Sequence, residues 1–162
     1  MPSTPRQVNV INTATVKFAD DEAGLAAADS YECVTTGAGF TPSPNMLEVP
    51  ATGCAPKSQT AAASSWVCNL SYLQDWQSPG GGLAGYLYEN DALTKWVQIT
   101  PTSPTLPAAT AQVTITSGPI FGTFGEVLTG TVELAAADKP ALTLPAVAAA
   151  EAGAAKSSAK SS

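Results

Sequence analysis

Trp66, Cys68, Leu70 and Tyr72 fall two residues apart, with Val67, Asn69, Ser71 and Leu73 between them. A spacing of two puts the first set on one face of an extended chain, so residues 66–74 read as a strand with that face toward a core. Asp75, Trp76, Gln77, Ser78, Pro79 and three glycines then break the strand. Leu83, Tyr86, Leu87 and Asn90 follow at i, i+3, i+4 and i+7, the stripe of a short helix that is stable only when packed on something else. Residues 94–100 return to strand, with Trp96 and Val97, and Pro101 ends it. Residues 65–101 hold all three tryptophans and three of the four tyrosines. Aromatic rings bury the most area per residue, which makes Trp66, Leu70, Tyr72, Trp76, Leu83, Tyr86, Leu87 and Trp96 the expected core scaffold.

The flanking sequence repeats the period of two. Val8, Val10, Asn12, Ala14, Val16 and Phe18 alternate with mostly polar residues over 7–18, and residues 31–34 give a short strand. Between them, the acids at 20–22 mark an expected helix start. Residues 112–117 and 126–134 alternate as well, and read as an antiparallel pair joined by GPIFGTFG. That connection sets Ile120, Phe121 and Phe124 among glycines, either folded back over the core or offered as a contact point. Residues 35–64, rich in Pro, Gly, Ala, Ser and Thr, read as a long loop or as poorly marked strand. Within it only 45–49 looks extended, carrying Met46 and Leu47 as further candidate contacts. Pro101, Pro104 and Pro107 stiffen the next connection, and residues 139–144 suggest an edge strand.

The organisation expected is a flexible lead-in at 1–6, a single β domain at 7–144, and an Ala/Ser/Lys-rich disordered tail at 145–162. The fold class is mostly β: an antiparallel β-sandwich or barrel with one short flanking α-helix.

Chemistry is excluded more sharply than it is suggested. The 162 residues contain no histidine, which removes Ser-His-Asp and Cys-His nucleophilic sites and His-based metal sites. Cys33, Cys54 and Cys68 form no CxxC pair, and no two acids stand at a catalytic or metal-loop spacing, so no catalytic residue, cofactor or metal is assigned. Gly80, Gly82 and Gly85 fit GxGxxG, but a dinucleotide site also needs a parallel βαβ unit and an acid about 20 residues on, where this chain has Thr102 to Pro107. The net charge of −6 opposes tight binding of nucleic acid and suits a surface along which polyanions slide. Charged residues make up only 12% of the chain, about half the usual ~25%, as expected of a surface covered by partners or of an Ala/Thr-rich composition. No apolar run approaches the ~20 residues of a membrane helix.

The run SWVCNLSYLQDW, the helix LAGYLYEND, the strand WVQITP and then GPIFGTFGEVLTGTVEL followed by KP resemble the major tail tube proteins of long-tailed, siphovirus-type phages of actinobacteria, over residues 64–143. The resemblance implies six copies closing into a ring and rings stacking into a tube that conducts DNA without binding it specifically. The partners implied are further copies of the chain and other tail proteins, such as the tape measure and tail terminator. It also implies residence in the virion tail, with assembly in the host cytoplasm. Two other roles stay open: a capsid decoration or tail-end protein, and an immunoglobulin-like surface-binding module.

Overall fold

In four of the strands, at residues 14–19, 65–73, 94–101 and 129–136, the buried residues lie two apart, and all of them reach one core. A computed structural model describes residues 13–31, 33–77 and 82–144. Its strands are β1 (Ala14–Ala19), β2 (Thr35–Ser43), β3 (Met46–Val49), β4 (Ser58–Ala61), β5 (Ser65–Leu73), β6 (Thr94–Pro101), β7 (Ala108–Thr114), β8 (Thr129–Ala136) and β9 (Ala141–Thr143), with helix α1 (Gly82–Glu89) between β5 and β6. The expected lead-in at 1–6, the start of the first strand at 7–12, residues 78–81 of the glycine turn and the tail at 145–162 lie outside the described residues.

The main sheet is antiparallel throughout, in the order β1-β6-β7-β8-β5-β2, with β9 beside β7. Val16 and Phe18 of β1, Val97 and Ile99 of β6, Val113 of β7, Val132 and Leu134 of β8, and Cys68, Leu70 and Tyr72 of β5 share one buried cluster. Strands from both halves of the sheet meet in one core, so the sheet curls around it. Leu83, Ala84 and Leu87 of α1 fill the same space. Each Val, Leu, Ile or Phe among them contributes about 1.5–3 kcal/mol on burial.

Tyr31 and Val34 tie the two ends of the curl together. The Tyr31 amide donates to the Val16 carbonyl at 2.9 Å, and the Leu73 amide donates to the Val34 carbonyl at 2.8 Å. The rings of Phe18, Tyr31 and Tyr86 pack around this seam, with centroids 5.2 Å apart for Phe18 and Tyr86. β7 and β8 touch only through Val113–Ala136 and Thr114–Ala135, so the chain between them is a wide excursion and not a hairpin turn.

Several expectations are corrected. Residues 35–64 are largely strand: β2 pairs along β5 from Thr35–Tyr72 to Ser43–Ser65, and β3 pairs with β4. β2 lacks alternation because it is an edge strand, where Pro42 leaves no inner ladder broken and neither face is deeply buried. The acids at 20–22 precede a single 3-10 turn, Ala23–Ala26, because Asp21 Oδ1 accepts the Gly24 amide at 2.6 Å and folds the chain tightly there. The strand expected at 31–34 is not formed: the Val34 and Thr35 amides both donate to the Tyr31 carbonyl, at 3.3 and 3.1 Å, and turn the chain there. β7 and β8 sit a few residues from 112–117 and 126–134, because backbone pairing with β6, β9 and β5 recruits alanines that carry no pattern.

The strand–turn–helix–strand order at 65–101 is present, but β5 and β6 are not neighbours, and among the described residues no two strands pair in parallel. Gly82 is needed there: its φ is +59°, and a Cβ would sit 2.7 Å from the Asp75 carbonyl oxygen.

Candidate functional site

Two exposed structures project from opposite ends of the curled sheet. The first is an arm. Beyond Ser43–Ser65 the β2/β5 hairpin continues as β3/β4, joined by the Ala62 amide donating to the Asn45 carbonyl at 2.8 Å and by Asn45 Nδ2 donating to Ala63 O at 3.2 Å. Every residue of β3 and β4 is exposed, so the arm has no core of its own. A two-stranded ribbon of this kind is marginal alone in water. Met46, Leu47 and Val49 are exposed on it, and an ion pair between Lys57 and Glu48 crosses it. At about 3.3 Å per residue the arm reaches up to roughly 30 Å from the sheet.

The second is the 115–128 loop, which leaves the C-terminal end of β7 and returns at the N-terminal end of β8. Ile120, Phe121, Phe124 and Val127 are all exposed, Phe124 at 102%. Loops with such content normally collapse; this one is held out by a buried polar anchor. Gln74, only 7% exposed, accepts the Phe121 amide at Oε1 (2.9 Å) and donates from Nε2 to Phe121 O (3.1 Å) and Thr129 O (2.8 Å). Trp76 Nε1 donates to the same Oε1 at 3.2 Å, and the Trp76 ring lies 6.3 Å from that of Phe121. The carboxamide is thereby fully used, and the Gln74 amide itself donates to Leu128 O at 2.9 Å. Phe121 has a φ of 64°, a costly backbone state for a bulky residue.

At the other end lies an apolar groove of about 310 Å³. Its walls include Phe40, Trp66, Ile99, Leu106, Pro107, Lys139 and Leu142. These residues come from the end of β6, the start of β5, β2, β9 and the connections that lead into β7 and β9, whereas the 115–128 loop joins the C-terminal end of β7 to the N-terminal end of β8.

Of the scaffold residues, Leu70, Tyr72, Leu83 and Leu87 are buried, while Tyr86 and Trp76 are half-buried against them. Trp66 shares the inward face but stands at the mouth of the groove. Trp96 points to the other face of β6, because Val97 and Ile99 take the inward positions. Ile120, Phe121, Phe124, Met46 and Leu47 are all exposed. They form two separate surfaces, one on the loop and one on the arm. Gln74 was missed by the sequence reading; a glutamine at the end of an apolar strand, followed by Asp-Trp, was the available signal.

Cys68 is buried, and burial pushes its thiol up to about 12, while Cys33 and Cys54 are exposed. Burial also raises Tyr31, Tyr72 and Tyr86. Among the described residues no group of three or more His, Cys, Asp or Glu side chains is placed to hold a metal ion. Among the same residues no helix is long and apolar enough to cross a membrane.

No family model and no curated protein matches the sequence. Solved structures do resemble the fold. A chain from the virion of a native gene transfer agent particle aligns with a TM-score of 0.52 at 10% identity, covering 79% of this chain and 95% of its own. A chain from the tail of an empty gene transfer agent particle, refined helically with C6 symmetry, gives 0.51 at 12% identity, with 79% and 95% covered. A chain from the sheath-tube complex of an extracellular contractile injection system (PVC), in the extended state, gives 0.50 at 16% identity, with 85% and 92% covered. The chain thus shares with these assembly components a mostly β, antiparallel fold with one flanking helix.

Proposed function

We propose that this chain is the structural subunit of a tail tube: a protein that assembles with copies of itself into rings, stacked to form a conduit for DNA. The observation that carries this reading is the fold likeness over 79–85% of the chain to components of a C6-symmetric tail and of a sheath-tube complex. The exposed arm supports it, since a ribbon with no core of its own is stabilised by lying on another surface. An acidic balance, −6 over the chain, suits a lumen through which phosphate must pass without adhering.

In this reading six copies close each ring, the arm reaches the neighbouring ring, and the protein catalyses nothing and holds no cofactor. The tube belongs to a virion tail of the long-tailed phage type that the sequence pattern resembles, is built in the host cytoplasm, and ends on other tail proteins such as a tape measure and a terminator. Trimming the arm tests it. Ser43 and Ser65 face each other in register, so residues 44–64 are replaceable by a two-residue turn. The shortened chain is expected to keep its fold by circular dichroism and to form no tubes by electron microscopy. Tubes of unchanged length would remove the arm from the ring-to-ring contact.

A further inference from the structure

The apolar loop and the apolar groove lie at opposite ends of one chain, and each lacks what the other offers. Ile120, Phe124 and Val127 stand in solvent on a loop whose backbone is pinned by Gln74, so they cannot fold back without breaking that anchor. The groove presents Trp66, Leu106, Pro107 and Leu142 around a space of about 310 Å³. One phenylalanine buries about 150–250 Å² when it enters such a site. The charges match as well: Glu126, exposed, stands two residues beyond Phe124, and Lys139 lines the groove, whereas the preceding Asp138 does not line it. A knob and a socket at opposite ends of the same chain allow a head-to-tail contact between copies that point the same way, the kind that closes rings or extends filaments.

We propose that the 118–128 loop of one copy seats in the groove of another copy, Phe124 entering between Trp66 and Leu142 with Glu126 beside Lys139. The arm springs from Ser43 and Ser65, next to Phe40 and Trp66, so a copy docked in the groove also lies within reach of the arm. This inference rests on the tube reading and names the surfaces through which the copies join.

The test uses the full chain and charge reversal. Glu126→Lys and Lys139→Glu are each expected to raise the concentration needed for tube formation about tenfold, and the double reversal to restore it. Phe124→Asp is expected to abolish tubes while leaving the melting temperature of the dispersed protein unchanged, because Phe124 contacts solvent only. In a Cys33→Ser, Cys54→Ser background, a Phe124→Cys chain mixed with a Leu142→Cys chain is expected to give a disulfide-linked heterodimer on oxidation. If the unaltered chain forms tubes but the variants do so equally well and no cross-link appears, the loop-in-groove contact is wrong and the tube reading stands. If the unaltered chain stays monomeric, both fall.

Discussion

Gln74 and Phe121 are clamped together at two points: the carboxamide accepts the Phe121 amide at 2.9 Å and donates to its carbonyl at 3.1 Å. The pair carries the backbone of the 115–128 loop, with Phe121 at a φ of 64°. Replacing Gln74 with Ala leaves the Phe121 and Thr129 backbone groups and the Trp76 indole without their partner. The expected cost is about 2–3 kcal/mol in urea unfolding, larger than for a surface glutamine. Tube formation should fail at concentrations where the protein is still folded, because the loop no longer holds its shape.

Tyr72 lies against two glycines, and the two contacts separate by substitution. A Cβ on Gly118 would sit 2.0 Å from the Tyr72 hydroxyl but 3.2 Å from Cζ, whereas one on Gly130 would sit 2.6 Å from Cζ itself. Gly118→Ala and Gly130→Ala should each destabilise by about 1–3 kcal/mol. Adding Tyr72→Phe removes the hydroxyl and should recover much of the loss in Gly118→Ala and little of it in Gly130→Ala. Thermal unfolding of the two glycine variants, Tyr72→Phe and the two double variants, arranged as two double-mutant cycles, reads the difference.

Burial of Cys68 and of three tyrosines fixes the direction of the alkaline response. Cys68 is pushed up to about 12 in the fold, from an ordinary 9.0, and Tyr31, Tyr72 and Tyr86 are raised above 10.0. The unfolded chain releases these protons first, so their contribution to stability is complete below about pH 9 and is lost as pH rises toward the folded values. Unfolding free energy measured in urea should be flat from pH 7 to 9 with respect to these groups and fall beyond it. At pH 8 a thiol reagent should label Cys33 and Cys54 in the native protein and reach Cys68 only after denaturation.

The strands with large alternating side chains were legible from sequence: the Trp66–Tyr72 face reads as the core side, and Val16 with Phe18 stand two apart in a run of the same period. The α1 stripe was legible for the same reason. What escaped was structure specified by backbone pairing. β2, with Gly37, Gly39 and Pro42, and the start of β7, with Ala108 and Ala109, carry little side-chain signal and are strands because an adjacent strand offers a ladder. Ile120, Phe121 and Phe124 stood out for being apolar among glycines, but their anchor did not, since Gln74 reaches Phe121 across 47 residues. The groove was invisible for a related reason: Phe40, Trp66, Leu106 and Leu142 come together only once the sheet curls.

Electron microscopy of the purified chain over a series of rising concentrations decides whether it is a tube subunit. The expected result is tubes of stacked rings with sixfold symmetry. A chain that remains monomeric at every concentration examined would contradict it.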